Sequence, residues 1–114
     1  MNWYQQRKNK YKNERTIYDG ISYASIKEAN CARDLDLRKK GKDIKDWSSQ
    51  IPFGLLVNEK KICRYIVDFQ IIHKDNSVEL VECKGYATRD WKIKKKLFEA
   101  TVLKEHPKWI YTIV

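Results

Sequence analysis

Three charged residues interrupt two otherwise apolar segments of the chain. Asp68 lies within Tyr65-Ile66-Val67-Asp68-Phe69, and Glu82 and Lys84 belong to Glu82-Cys83-Lys84-Gly85 further along. Both segments have the composition of strands, whose side chains alternate between two faces, so Glu82 and Lys84 share one face. A buried carboxylate without a cation is costly. The pattern therefore predicts a divalent cation at Asp68 and Glu82, with Lys84 beside it.

Magnesium suits this set of side chains. It prefers oxygen ligands and keeps several waters, one of which can attack a phosphodiester while the ion stabilises the charge on the phosphate. Lys84 would orient that water or neutralise the transition state. The alternative is a pair of solvated carboxylates at the ends of strands, bridged by Lys84 alone.

The positive charge of the chain is concentrated in two segments. The net charge is +9 at pH 7; residues 1–15 carry five basic and one acidic side chain, and residues 84–96 carry six and one. Basic charge interleaved with aromatic side chains, here Trp3, Tyr4 and Tyr11, is typical of proteins that contact the phosphates and bases of nucleic acids. The alternative interpretation is a solvated surface that keeps the protein soluble.

Local signals predict the first elements. Asp19-Gly20 between two short β-prone runs indicates a hairpin over residues 16–23. Ser25 and Glu28 form a capping box and Gly41 provides a stop, so a helix is predicted over residues 25–40. The next segments are predicted to be strands of an antiparallel meander: Ile44–Trp47, Ile51–Val57, Ile62–Ile72 and Ser77–Lys84.

The C-terminal part predicts a second helix and a last strand. Apolar residues recur at helical spacing between Thr88, the expected cap, and Pro107, and Trp109–Val114 is typical of a buried strand. A helix between two strands indicates a crossover onto a parallel neighbour. We therefore expect a mixed sheet with helices against its faces.

The length and composition indicate one domain. With 114 residues, of which 42% are hydrophobic, the chain can bury one core. We expect residues 1–10 to form a mobile basic arm and residues 11–114 to form the domain. No apolar stretch suits a membrane span or a signal peptide. The three cysteines (Cys31, Cys63 and Cys83) are odd in number and irregularly spaced, which favours reduced thiols in the cytoplasm and no structural zinc.

Six segments between Tyr11 and Phe98 together resemble a known family. They are Tyr11–Arg15, Tyr18–Ile21, Ser25–Ala29, Tyr65–Phe69, Val81–Gly85 and Trp91–Phe98. Their arrangement is similar to the PD-(D/E)XK nuclease superfamily, in particular to a small phage-encoded branch that resembles Holliday-junction resolvases. The resemblance implies an α/β fold: a restriction-endonuclease-like αβββαβ core with a mixed sheet flanked by helices, preceded by the small β-hairpin and the arm. Val67 stands where the superfamily name has proline.

The resemblance also implies roles for individual residues. Asp68 and Glu82 would bind magnesium, which manganese can replace, and the backbone carbonyl of Cys83 would be a further ligand. Lys84 would assist the attacking water. Glu28, on the first helix, would complete the catalytic set, although the capping box by itself also requires a glutamate at that position.

Basic residues are expected to contact the phosphates of DNA. On the second helix, Lys94 and Lys95 follow Trp91 by three and four residues and lie near its face, with Lys94 reaching inward, whereas Lys92 and Lys96 point outward. A solvated helix face is the alternative. Gln50 occupies a place where related nucleases often carry a glutamine near the metal. The residues expected to contact nucleic acid are Arg7, Lys8, Lys10, Lys12, Gln50, Arg89, Lys92, Lys94 and Lys95.

These observations predict a magnesium-dependent endodeoxyribonuclease. No module for reading base sequence is evident, so cleavage selective for branched DNA is expected rather than cleavage at a sequence. The resolvase resemblance implies a homodimer, because cutting opposite strands needs two sites, and the cytoplasm of a host cell as the location. The alternative is a basic nucleic-acid-binding protein of the same fold without activity, which the joint presence of Asp68, Glu82 and Lys84 disfavours.

Overall fold

A two-stranded hairpin opens the part of the chain that the computed structural model describes, residues 15–84 and 87–114. It consists of β1 (Thr16–Tyr18) and β2 (Ile21–Tyr23). Asp19 and Gly20 have φ values of 51° and 78°, the left-handed backbone that tight hairpin turns use. The predicted hairpin is confirmed. Gly85 and the N-terminal residues expected to contact DNA (Arg7, Lys8, Lys10 and Lys12) lie outside the described residues.

The first helix, α1 (Ile26–Lys40), begins and ends where the sequence predicts. The Ser25 Oγ accepts a hydrogen bond of 3.1 Å from the backbone N–H of Glu28, which satisfies a free donor of the first turn. At the other end Gly41 donates its N–H to the carbonyl of Leu37. Gly41 itself has an ordinary φ of −79°, and the left-handed residue is Lys42, with a φ of 62°. The chain therefore turns one residue later than a glycine stop predicts.

A four-stranded mixed sheet forms the body of the domain. Its strands are β3 (Asp46–Val57), β4 (Lys60–Ile72), β5 (Val78–Glu82) and β6 (Ile110–Ile113), in the order β3-β4-β5-β6. The first three pair antiparallel, and β6 pairs parallel to β5 after the crossover helix α2 (Arg89–Glu105). This confirms the predicted meander and the parallel crossover.

One strand stands where the sequence predicts two. The segments Ile44–Trp47 and Ile51–Val57 were expected to be separate because polar residues intervene between them. Instead, the residues on both sides of Gln50 keep their pairing with β4. At this junction the departure from extended backbone is the positive φ of Gln50 itself, 57°. Ile44 precedes the strand and is buried against α1. Backbone pairing with β4 thus outweighs the polar composition of this segment.

The last strand is an edge strand and not the buried strand that Trp109–Val114 predicts. Among the described residues β6 pairs with β5 alone, and Ile110 and Ile113 are 48% and 40% exposed. An apolar run indicates a strand but does not say how many neighbours cover it. The exposure of β6 is therefore decided by the order of the strands.

Two apolar clusters form the core. The cluster beneath α1 contains Ala29, Ala32, Leu35, Phe69, Ile71 and Val81, and the cluster beneath α2 contains Leu55, Tyr65, Val67, Leu80 and Phe98. Leu80 and Val81 are consecutive on β5 but belong to different clusters, so the two helices cover opposite faces of this strand. Glu82 shares its face with Leu80. Neither helix in the described part of the chain has the length and hydropathy needed to cross a membrane.

Candidate active site

Asp68 and Glu82 meet across the pairing of β4 with β5. Phe69 is opposite Val81 in this antiparallel pair, so the preceding and following residues, Asp68 and Glu82, are opposite each other on the other face. The backbone N–H of Cys83 donates a 2.8 Å hydrogen bond to Asp68 Oδ2, and the charge of Asp68 is close enough to raise the pKa of the Glu82 carboxyl. The structure thus brings together the two acidic residues that the sequence predicts as a pair.

Burial makes this pair an unfavourable place for negative charge. Glu82 is 1% exposed, and burial together with the charge of Asp68 raises the pKa of Glu82 to about 8. Burial also raises the pKa of Asp68, whereas the nearby charge of Lys84 opposes both shifts. Glu82 Oε1 is buried and finds no hydrogen-bond partner within residues 15–84 and 87–114. Such an acceptor is costly unless a cation or donor satisfies it.

Lys84 lies just beyond the C-terminal end of β5, which is shorter than the predicted strand Ser77–Lys84. Its backbone N–H donates to the carbonyl of Val114, and its carbonyl accepts from Lys27 Nζ at 3.1 Å. Lys84 Nζ lies 5.0 Å from the centroid of the Trp91 ring. The ion pairs found within residues 15–84 and 87–114 do not include one between Lys84 and either carboxylate. The arrangement in which Lys84 alone bridges the acids is therefore not formed.

Glu28 belongs both to the start of α1 and to the surroundings of the acidic pair. It is 5% exposed, and its backbone N–H donates to Ser25 Oγ at the start of the helix. Burial raises the pKa of Glu28, and so does the charge of Asp68. The backbone of Glu28 thus takes part in the helix cap while its carboxyl group lies close enough to Asp68 to feel its charge.

Gln50 connects α1 to the sheet beside this pair. Its side-chain Nε2 donates a 2.8 Å hydrogen bond to Glu28 Oε1, and its positive φ marks the one irregular backbone position at this point of β3. The sequence suggested only that Gln50 lies near the site. The structure shows the residue that it contacts.

The acidic residues near the site divide into a pair and a separate glutamate. The described residues contain no group of three or more His, Cys, Asp or Glu side chains placed to hold one metal ion. The Cys83 thiol is buried in the α1 cluster beside Cys31, and burial raises its pKa. Cys83 therefore presents only its backbone to Asp68. Two carboxylates with one unsatisfied oxygen suit a cation that takes its remaining ligands from water and phosphate.

The lysines of α2 follow the predicted pattern of exposure. Lys94 and Lys95 are half-buried, and Lys92, Lys96 and Arg89 are exposed. Lys95 Nζ pairs with Glu99 at 3.2 Å. Thr88 Oγ1 accepts the N–H of Trp91 at 3.1 Å, which confirms Thr88 as the cap.

Sequence reasoning missed a hydrogen-bonded group of aromatic residues beside Lys84. Trp91 Nε1 donates to Tyr65 Oη at 3.0 Å, and the hydroxyl groups of Tyr65 and Tyr111 lie 2.7 Å apart. Burial raises the pKa of Tyr65 to about 12, and the charge of Glu82 adds to this shift. The helical spacing identified Trp91 only as a core residue. The sequence signal that could have identified this aromatic group is the position of Trp91 in the first turn of the helix that follows Lys84.

Comparison with known proteins assigns a family but not an activity. No curated protein and no solved structure matches the chain. A family model described as "Protein of unknown function (DUF1064)" matches residues 8–114. This range includes Glu28, Gln50, Asp68, Glu82, Lys84 and Trp91. The chain therefore belongs to the DUF1064 family.

Proposed function

We propose that this protein is a magnesium-dependent DNA endonuclease of the PD-(D/E)XK type. The observation that carries the proposal is the pair of half-buried Asp68 and buried Glu82, in which Glu82 Oε1 has no hydrogen-bond partner among the described residues. Lys84 follows just beyond the end of β5 and forms no ion pair with either carboxylate within the described residues. The order α1, β3, β4, β5, α2, β6 supports a restriction-endonuclease-like αβββαβ core.

The donor set fits magnesium. Asp68 and Glu82 would hold the ion through carboxylate oxygens, the ligands that magnesium prefers, and the carbonyl of Cys83 would be a third. A bound magnesium ion supplies Lewis acidity toward the scissile phosphate. Manganese, which accepts the same oxygen ligands, is expected to replace it.

The protein's own groups perform the remaining tasks. The Cys83 N–H fixes one oxygen of Asp68, so this carboxylate keeps its orientation when phosphate approaches. The Lys84 ammonium places a positive charge beside the acidic pair, where it can orient the attacking water and oppose the charge that develops on phosphate. Glu28, held by Gln50 at 2.8 Å, adds an acidic group at the margin of the site.

Basic residues beside the site suit a polyanionic substrate. Lys94 and Arg89 belong to the helix that begins next to Lys84, and this segment carries much of the net charge of +9. Phosphate contacts position DNA without reading its sequence. We therefore propose branched DNA as the substrate. A homodimer would be the form that cuts opposite strands, because this needs two sites. The proposed compartment is the cytoplasm.

One assay tests the proposal directly. The purified protein is incubated with a four-way junction, a flap, a duplex and a single strand, in magnesium, in manganese and in chelator. Cleavage of the branched substrates in either metal and none in chelator is expected, with Glu82→Gln as an inactive control of the same shape. Cleavage that persists in Glu82→Gln would point to a contaminating nuclease and remove the support for this site.

The absence of a third metal-ligating side chain among the described residues favours a second candidate. In this alternative the protein binds nucleic acid through its basic segments and does not cleave it. The same assay separates the two candidates, since tight and salt-dependent binding without cleavage in either metal is the outcome expected of the binding protein.

A further inference from the structure

The side chain of Lys84 lies between two competing partners. The carboxylates of half-buried Asp68 and buried Glu82 attract its ammonium group, and this attraction opposes the rise of both carboxyl pKa values. Lys84 nevertheless forms no ion pair with them in the described part of the chain, and its Nζ lies over the Trp91 ring, 5.0 Å from the centroid. A lysine drawn onto the acidic pair would neutralise the charges that the proposed metal needs. The partner that holds Lys84 away therefore matters for activity.

We propose that Trp91 is a positioning residue for Lys84. This inference rests on the proposed nuclease function and assigns to Trp91 the task of keeping the ammonium group beside the acidic pair but not on it. The face of an indole ring attracts a cation without donating or accepting a proton. The Lys84 ammonium group thus remains available to a phosphate or to the attacking water.

Trp91 is itself held at two points, which is what a positioning role requires. Its backbone N–H is bound by Thr88 Oγ1 at the start of α2. Its ring Nε1 donates to the hydroxyl of Tyr65, a buried residue of β4 that pairs with Tyr111 of β6 at 2.7 Å. Two strands and one helix therefore fix the ring. The flexible partner in the contact is the long side chain of Lys84, whose freedom the ring reduces.

Two variants separate the ring face from its hydrogen bond. Trp91→Leu removes the π face, and Trp91→Phe keeps an aromatic face but removes the donor to Tyr65. The matched control is Trp109→Leu, because Trp109 packs against the same α2 cluster but stacks on His106 at the other end of the helix, with ring centroids 3.8 Å apart. Circular dichroism and thermal melting verify that each variant is folded.

We expect the cleavage rate of Trp91→Leu to fall by about tenfold, because a displaced catalytic group is costly. Its DNA affinity in chelator is expected to stay near the wild-type value. The cleavage rate of Trp91→Phe should lie between those of Trp91→Leu and the wild type. In a Lys84→Ala background, Trp91→Leu should cause little further loss, since a residue that acts only through Lys84 has no effect once Lys84 is gone. An equal loss in Trp109→Leu, or a full further loss in the double variant, would assign Trp91 to packing and overturn the proposal.

A measurement without DNA distinguishes this inference from the proposed function. The ring current of the Trp91 indole should shift the Lys84 ε-methylene protons upfield in the NMR spectrum of the wild-type protein, and this shift should disappear in Trp91→Leu. If the wild type shows the upfield shift but cleaves no DNA, the nuclease proposal fails while the contact stands. An unshifted Lys84 in the wild type overturns the positioning role, whether or not Trp91→Leu folds.

Discussion

At the scale of single residues, the central feature is the acidic pair of Asp68 and Glu82. The described residues satisfy the hydrogen-bonding capacity of this pair only in part. Asp68 accepts the Cys83 N–H, whereas Glu82 Oε1 is buried and receives no hydrogen bond from the part of the chain that the structure describes. Burial of Glu82 beside half-buried Asp68 stabilises the protonated form of at least one of the two carboxyl groups. A cation changes this balance by favouring the charged form of both. The chemistry of the site therefore depends on what occupies the pair.

Glu82→Ala is the residue-scale test of catalysis. We expect cleavage to fall by about a thousandfold or more, because the metal supplies several kcal/mol of charge stabilisation in such reactions. DNA binding in chelator should stay near the wild-type value, since a carboxylate repels phosphate. Single-turnover cleavage and a binding titration measure the two effects. Undiminished cleavage by a folded variant would contradict the assignment of Glu82.

The stability of the metal-free protein should depend on pH through the same group. The pKa of Glu82 is about 8 in the folded protein against an ordinary value of 4.5, so the folded state holds this proton more tightly than the unfolded state. The stability that this tighter proton binding contributes is fully present below pH 4.5 and is lost as the pH rises through about 8. The raised pKa values of Asp68 and Glu28 act in the same direction.

Urea unfolding in chelator over this pH range measures the effect. We expect the unfolding midpoint of the wild type to decrease toward alkaline pH and that of Glu82→Gln to decrease less, because the amide does not titrate. Magnesium should raise the midpoint most at the alkaline end, where the carboxylates are charged. A variant with the same pH dependence as the wild type would show that another group is responsible.

At the scale of secondary-structure elements, α2 combines a structural and an electrostatic role. Its first turn carries the capped Trp91 next to Lys84, and the following turns carry the lysines. Lys95 is paired with Glu99, whereas no ion pair from Lys94 to another described residue is found. The two half-buried lysines are thus not equivalent. We therefore expect Lys94 to be the one that contacts the proposed DNA substrate.

Lys94→Ala should therefore weaken DNA binding more than Lys95→Ala. Loss of one phosphate contact is expected to reduce the slope of log affinity against log salt by roughly 0.9. Lys96→Ala, which removes an exposed lysine of the same helix, is the control. Binding titrations at several salt concentrations provide the slopes. Equal effects of all three variants would indicate a diffuse helix surface without a specific contact at Lys94.

At the scale of the whole molecule, basic charge is concentrated at two places in the chain. Residues 1–15 and 84–96 carry the surplus, and the second segment leads from the acidic pair into α2. Such a distribution would guide the proposed polyanionic substrate toward the site and make its binding dependent on salt. Of the first segment, only Arg15 lies among the described residues. The role of this segment can be tested by removing it.

Deletion of residues 1–10 removes Arg7, Lys8 and Lys10. If all three contact phosphates, the slope of log affinity against log salt should decrease by about 2.7. The truncated protein is expected to fold and to cleave at low salt, because the hairpin begins at Thr16. The control replaces three exposed lysines of turns and hairpin ends, Lys42, Lys60 and Lys61, by alanine. An unchanged slope in the deletion would mean that the arm does not contact DNA, and failure to fold would mean that it is part of the core.

The sequence by itself determined the local elements and the chemical identity of the acidic pair. The left-handed turn at Asp19-Gly20 and the caps at Ser25 and Thr88 depend on residues within a few positions of each other. Local backbone preferences and hydrogen bonds decide such features. The alternation of strand side chains likewise placed Glu82 on the face of Leu80, and the crossover rule made β6 parallel to β5.

Tertiary structure alone decided which distant side chains meet. Gln50 contacts Glu28 across 22 positions, and Trp91 reaches Tyr65 across 26. These contacts depend on where α1 and α2 pack on the sheet, which the pattern of each segment does not specify. The same holds for the exposure of β6, because the order of the strands places it at an edge. Local patterns thus name the groups that can do chemistry, whereas packing over long sequence separations determines their partners and their burial.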